Sequence, residues 1–415
     1  MTGSANPRLR ALEAFPVEHE GQQCIALRDP AGFTDQIAVL PPLLLDLVSL
    51  FDGEHSIAQI QDVMRGRHGE TPSADQIAAV VERFDRAGFL DSERFAARRL
   101  ALEDEFRRSP VRAASHAGAA YAGEPAELTA QIDAFFTGPD GPDHPESTPA
   151  AARVSRSSGL SALIAPHIDF HRGGSTYGWA YKEILDRSDA DLYVILGTCH
   201  AGMADPFSVT LKPYDTPLGA VPVDREFYEG LAGRAGQDLL ASEPAHRREH
   251  SIEFQTVMLQ RLLGRRRPFM ILPVLASYLH EAIWRRGRPE ADARVPRFVD
   301  ALRDTIASSS RRVCLIAGVD LAHVGPRFGD AAPNTADSLA AVEAADRRML
   351  EPVVAADAGG FFASVAADGD ARRICGLSPI YTLLRLLPGS SGRLLRYTQW
   401  PDPEGAVTFC AVSYP

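Results

Sequence analysis

The segment "LYVILGTCH", Leu192–His200, decides the fold reading. Leu192–Leu196 is a short apolar run of the kind found in a parallel strand buried on both faces. It passes directly into Gly197–Thr198–Cys199–His200, where polar and metal-capable side chains replace apolar ones. Three further runs share the strand texture: Leu160–Ile164, Phe269–Val274 and Val313–Ala317. Helical patterns separate them. The alternation predicts an α/β fold, a sheet covered by helices on both faces.

Two of the other runs also end in chemistry. The first continues into Ala165–Pro166–His167, and the last into Gly318–Val319–Asp320–Leu321–Ala322–His323. In open α/β sheets ligands bind beyond the carboxyl ends of the strands, so these histidines are expected to converge on one crevice. Glu249–His250–Ser251–Ile252–Glu253 opens an apparent helix with His250 and Glu253 on one face at i, i+3. Ile374–Pro379, "ICGLSP", reads as a loop before a helix Ile380–Leu386.

Each residue also has an ordinary reading. A strand-end histidine is commonly a satisfied hydrogen-bonding group, Cys375 a small buried hydrophobe, Asp320 a cap and Glu253 a solvated helix face. Their recurrence at independent strand ends favours a site. Two imidazoles and a thiolate suit a borderline transition metal with positions open for substrate. Asp320, His323, His250 and Glu253 would then orient ligands or move protons. His116 is a weak signal alone, and His171 lies near enough to His167 to border the crevice. His19, His55, His68, His144, His246 and His280 fall in loop or exposed patterns and receive no role. The absence of GxGxxG after a strand, of GxxxxGK[ST] and of HExxH leaves nucleotide cofactors and zincin chemistry without support.

The 415 residues predict two or three domains, with chain enough for a real core. A net charge of −11, with Lys182 and Lys212 as the only lysines, disfavours nucleic acid as a partner. The five cysteines have no CxxC spacing, which fits reduced thiols rather than a disulfide framework. The first 20 residues lack the apolar core of a signal peptide, and no apolar run reaches the ~18 residues of a membrane span. A cytoplasmic protein without membrane contact is the expectation.

Residues 1–108 look self-contained. Gln22–Leu27 and Gln36–Val39 read as strands, and Pro41–Phe51, Ser56–Arg65 and Ser73–Ala87 as helices, the last capped by Ser73. This predicts a small α+β or winged-helix unit. Glu93–Arg108 reads as a charged connecting helix and Glu124–Phe136 as an amphipathic one. Gly138–Ser158 is read as a mobile surface loop from its Gly, Pro, Ser and Asp content.

Six blocks, in order, resemble the Memo family, protein B of the AmmeMemoRadiSam system. They are "SHAGAAY" at 115–121, "LIAPHIDF" at 163–170, "ILGTCH" at 195–200, "EHSIEFQ" at 249–255, "GVDLAHVG" at 318–325 and "ICGLSPI" at 374–380. The resemblance implies a mixed-sheet fold like that of class III extradiol dioxygenases, which use non-haem iron. Carried over residue by residue, it implies metal ligation by His167, His200 and Cys375. It matches Asp320 to the family's site aspartate, and His250, Glu253 and His323 to pocket positions. Ile168–Asp169–Phe170, Ala201 and Leu377 depart from the usual pattern. Cys375 supplies sulfur where the dioxygenases use a carboxylate, so ring cleavage does not follow from kinship. The metal stays open: Fe(II) by kinship, Cu(I) by softness, Zn(II) by geometry.

Residues 1–95 resemble PqqD-like winged-helix domains through "LFDGEHSIAQI" at 50–60 and "VVERFDRAGFL" at 80–90. That implies recognition of a peptide or of a radical-SAM enzyme. The rival, a DNA-binding winged helix, lacks a basic footprint, since residues 1–90 hold seven arginines against thirteen acids. The domain reading is therefore 1–95, a connector at 96–109, and a metal-binding domain at 110–415. Three functional readings remain. The first is a metal-dependent redox enzyme acting on a small-molecule or peptide substrate. The second is a non-catalytic metal- or peptide-binding adaptor. The third is a thiol hydrolase with Cys375 as nucleophile.

Overall fold

The computed structural model describes residues 6–69, 72–143 and 159–415. Most of the loop expected at Gly138–Ser158, with His144, lies outside the described residues. Backbone contacts divide the chain into two units. One is Met1–Arg108 with Pro326–Asp330; the other is Ser109–Gly325 with Ala331–Pro415.

In the N-terminal unit, β1 (Glu13–His19), β2 (Gln22–Arg28) and β3 (Ile37–Leu40) form an antiparallel sheet in the order β1-β2-β3. Helices Ile57–His68 and Ala74–Ala87 begin at Ser56 and Ser73. Each serine accepts from the backbone N–H three residues on, and Gln59 or Gln76 returns the bond, a capping box at both starts. Their apolar faces bury Ile60, Met64, Ile77 and Phe84 against Leu40 and Phe51. The helix Glu93–Arg108 follows the predicted span. Strand β1 was missed because its alternation is interrupted by Pro16, which suits an edge strand.

The second unit carries β4 (Ala162–Ala165), β5 (Leu192–Thr198), β6 (Phe207–Val209), β7 (Met270–Ala276), β8 (Val313–Gly318), β9 (His323–Val324), β10 (Arg393–Trp400) and β11 (Ala406–Tyr414). The order is β10-β11-β4-β8-β5-β7-β6, with β9 paired to β11. Strands β4, β8, β5 and β7 run parallel, while β6, β10, β11 and β9 are antiparallel to their neighbours. The sheet is mixed and flanked by helices, as expected. Every residue of β4 and β5 is buried, which is why these strands read as apolar runs rather than alternations; β11 is equally buried but carries Thr408 and Ser413 among its apolar residues. Helices His250–Leu263 and Leu377–Leu386 each pack on β5, β7 and β8.

Two glycines allow the close packing. A Cβ on Gly318 would sit 2.5 Å from the Ser251 carbonyl oxygen, and one on Gly376 would sit 2.5 Å from Val319 Cβ. Both positions therefore exclude larger residues. The Leu377–Leu386 helix starts three residues earlier than predicted. Pro379 suggested a loop, but it occupies the first helical turn, where an amide proton has no intrahelical partner to lose.

Candidate metal centre

The strands that end in chemistry are immediate neighbours: β4, β8 and β5. Their register aligns Ala165 with Gly318 and Gly318 with Gly197, so the chain leaves all three at one level. His167 and His200 consequently meet beyond the same sheet edge, with ring centroids 4.9 Å apart.

His167 is almost wholly buried. Its Nδ1 lies 2.9 Å from the Gly318 carbonyl oxygen, and its backbone N–H donates to Asp320 Oδ1 at 3.0 Å. The neighbouring Ile168 N–H donates to the same oxygen at 3.2 Å. Asp320 thus pins the end of β4 from the end of β8. Burial raises its carboxyl to about 7, against those two backbone donors, which lower it. Burial and then the neighbouring His200 and His250 hold the His167 imidazole well below its usual range, in the neutral form a metal ligand needs.

His200 is the open member, its side chain about a third exposed. Its Nδ1 faces Glu249 at 3.0 and 3.1 Å, and its Nε2 faces Cys375 Sγ at 3.1 Å. Burial opposes charge on this ring, but Glu249 and then Cys375 favour it, and the net direction is well upward. Cys375 Sγ is also 3.2 Å from His167 Nε2. Its loop is braced on several sides. The Cys375 N–H donates to the Leu321 carbonyl at 3.0 Å, the Gly376 N–H to the Asp320 carbonyl at 2.9 Å, and Thr198 Oγ1 to the Cys375 carbonyl at 3.2 Å.

His250 opens its helix beneath these groups. Its ring stacks on His200 with centroids 4.5 Å apart and stands 5.0 Å from His167. One nitrogen from each of His167, His200 and His250 lies within 4.8 Å of the other two. Burial, then His200, lowers His250 to about 3. His250, read from sequence as an orienting or proton-moving group, therefore stands inside the nitrogen cluster.

Glu253 points into a different environment. Its buried carboxylate pairs with Arg112 and accepts from Ser115 Oγ at 3.1 Å, the His116 N–H at 3.0 Å and Tyr121 OH at 2.5 Å. It also lies 3.0 Å from His116 Nδ1. It thereby ties residues 112–121 to the helix and brings His116 to 5.6 Å from His250, ring to ring. His323 is in β9, with Nδ1 3.2 Å from the Leu321 carbonyl oxygen; burial lowers it to about 4. His171 is exposed on its helix. Asp169 caps the Phe170–Arg187 helix and pairs with Arg172 at 2.7 Å, so its carboxylate is already engaged. Cys199, next to His200 in sequence, is buried, and that burial raises its thiol to about 12. All five cysteines are free.

The reading of His246 as a loop or exposed position is corrected. It is fully buried, with Nδ1 3.1 Å from Tyr214 OH and Nε2 3.1 Å from the Ser208 carbonyl. Both ring nitrogens have partners, so burial leaves neither unsatisfied. His280, also given no role, faces the Ile374 carbonyl at 3.2 Å and so touches the Cys375 loop. Sequence reasoning missed Glu249, Arg112 and Tyr121. An acid directly before an apparent helix start was a signal for Glu249. A single arginine outside any motif offered none for Arg112.

A mixed α/β sheet whose adjacent parallel strands deliver histidines to one polar crevice defines a protein with a candidate metal centre at the strand carboxyl ends. Residues 112–415 match the Memo-like protein family, and the chain belongs to it. It is 27% identical over 411 residues to a MEMO1 family protein of Aquifex aeolicus, covering 98% of each chain, so that likeness spans both units. It is 29% identical over 299 residues to a MEMO1 family protein of Methanothermobacter thermautotrophicus, covering 71% of this chain and 95% of that one. A MEMO1 family protein of Thermus thermophilus is 25% identical over 343 residues, 82% of this chain and 93% of its own. Among the described residues no helix is long and apolar enough to cross a membrane.

Proposed function

We propose that this Memo-like protein is a non-haem, metal-dependent redox enzyme related to class III extradiol dioxygenases. His167, His200 and Cys375 would hold the ion. One observation carries the reading. The Nε2 atoms of two histidines, from the strands on either side of β8, face the same sulfur at 3.2 and 3.1 Å, while each Nδ1 has a protein oxygen partner. Such an arrangement suits a metal site in which outer partners fix which nitrogen faces the ion. The mixed nitrogen and sulfur donors fit Fe(II), Cu or Zn(II), and kinship favours Fe(II). When bound, such an ion supplies Lewis-acid or one-electron chemistry.

The chain's own groups then have assignable tasks. Asp320 holds the His167 backbone and, with a carboxyl near 7, exchanges a proton close to neutral pH. His250 offers a neutral imidazole beside His200 for the same purpose or as an alternative nitrogen ligand. Glu253 keeps His116 at the rim of the pocket, and His323 borders the segment after β8. A small-molecule or peptide substrate would approach from the open His200 side.

Residues 1–95 support a second element of the reading. They form most of a unit with its own buried core, which suits a PqqD-like module recruiting a peptide or a radical-SAM enzyme of the AmmeMemoRadiSam system. A cytoplasmic setting would keep the five thiols reduced. If the recruiting unit is the whole function, the protein is an adaptor, and partner binding then survives loss of the metal ligands.

Metal analysis after anaerobic purification without chelators tests the proposal. Wild type should carry close to one ion per chain, with Cys375→Ser and His200→Ala depleted. Equally low metal in wild type and in the double variant overturns it.

A further inference from the structure

Glu249 touches two of the three clustered histidines, and no sequence expectation assigned it a role. Its carboxylate is buried, 3% exposed. Oε2 accepts the His200 backbone N–H at 2.8 Å. Oε1 and Oε2 lie 3.0 and 3.1 Å from His200 Nδ1. Oε1 also accepts the Ser251 N–H at 3.0 Å, which caps the helix beginning at His250, and it stands 3.4 Å from His250 Nδ1. The backbone beneath is held as well, because Arg112 donates to the Glu249 carbonyl at 2.6 Å and to the His246 carbonyl at 3.0 Å.

We infer that Glu249 is the positioning residue of the centre, fixing His200 with Nδ1 as donor and Nε2 toward Cys375, and locking that ring to the helix that carries His250. This rests on the metal-binding reading above. An ionised carboxylate only accepts, so the nitrogen facing it must carry a proton. When the ring releases its other proton to bind an ion, the lone pair is on Nε2, the atom 3.1 Å from the thiol sulfur. The same oxygens receive backbone donors from the β5 end and from the helix start, so ring orientation and helix position are set by one group.

Two variants separate positioning from capping. Glu249→Gln keeps the size but turns one acceptor oxygen into an amide donor facing an N–H. Glu249→Asp keeps the charge and remains a good N-cap, but withdraws the carboxylate by about 1.5 Å. Zn(II) binding to the full-length protein is measured by chelator competition, and the His200 Nδ1–H resonance by NMR on the Zn(II)-loaded protein. Both variants should bind Zn(II) about tenfold to a hundredfold more weakly. Both should also lose the slowly exchanging, downfield Nδ1–H signal of the wild type. If Glu249→Asp binds Zn(II) as tightly as wild type with that signal unmoved, Glu249 is only a cap and the inference falls. A wild type that binds no Zn(II) instead removes the metal centre, and this role with it.

Discussion

Cys375 Sγ lies 3.2 Å from His167 Nε2, although 208 positions separate the two residues in the chain. The sulfur arrives on the turn before a helix and the nitrogen at the end of β4. Their meeting is set by Asp320, which accepts the His167 N–H through its side chain and the Gly376 N–H through its backbone carbonyl. Any ion held there bridges elements that are otherwise remote in sequence, so binding should stabilise the whole unit.

Thermal denaturation with added Zn(II) or Fe(II) checks that consequence. A ligand at a hundred times its dissociation constant adds about 2.7 kcal/mol to the folded state. Wild type should therefore melt several degrees higher with metal and return on chelation. His200→Ala should show no metal-dependent rise. An equal rise in wild type and variant would place the binding elsewhere.

Arg112 and Glu253 form a fully buried ion pair between residue 112 and the helix at 250–263. Arg112→Ala leaves an anion without its cation and should lower unfolding free energy by about 3–5 kcal/mol in urea titration. Burial opposes the Glu253 charge, but Arg112 and His116 hold its carboxyl well below the usual 4.5. A depressed carboxyl contributes stability above the unfolded value and loses it as pH falls toward the folded one. The variant should therefore begin acid unfolding at a higher pH than wild type.

Asp320→Asn should stabilise the metal-free protein at pH 7.5 while removing the group proposed above to handle a proton. Both backbone donors reach Oδ1, which an asparagine keeps. The buried carboxyl sits near 7 instead of 3.8, so the folded state holds a proton that the unfolded state has released. Wild-type stability from this group falls as pH rises between those values, by up to about 1.4 kcal/mol per unit. A denaturation series from pH 4 to 8 should be flatter for the variant, and an unchanged slope would count against the buried-acid account.

His246 acts in the opposite sense. Burial lowers it from 6.5 to about 3, so the unfolded chain binds a proton that the folded chain refuses. Stability should fall as pH drops from 6.5 toward 3, again by at most about 1.4 kcal/mol per unit. His246→Gln should lessen that fall, at a cost in baseline stability from the altered bonds to Tyr214 and Ser208. Equilibrium unfolding at pH 7 and pH 4.5 measures both effects.

The four parallel strands were legible because burial on both faces removes polar residues and leaves unbroken apolar runs. The C-terminal hairpin was not read. β10 is half-buried between two exposed ends and lacks that run, and β11 mixes Thr408 and Ser413 into a wholly buried strand. Thr408 is tolerated there because its hydroxyl donates to Asp346 at 2.6 Å. Pairings of this kind are made across 62 residues and leave no local pattern.

At the site, local chemistry in the sequence determined which residues are capable: imidazoles just past strand ends and a cysteine in a Cys-Gly turn. The order of strands decided the rest. Placing β8 between β4 and β5 brings His167 and His200 to one edge, and the approach of two helices permitted by Gly318 and Gly376 adds His250 and Cys375. Which nitrogen faces the sulfur depends on partners such as Gly318 and Glu249, more than a hundred or about fifty residues away. Hydrogen-bond direction is a property of space rather than of spacing along the chain, so only the folded structure could supply it.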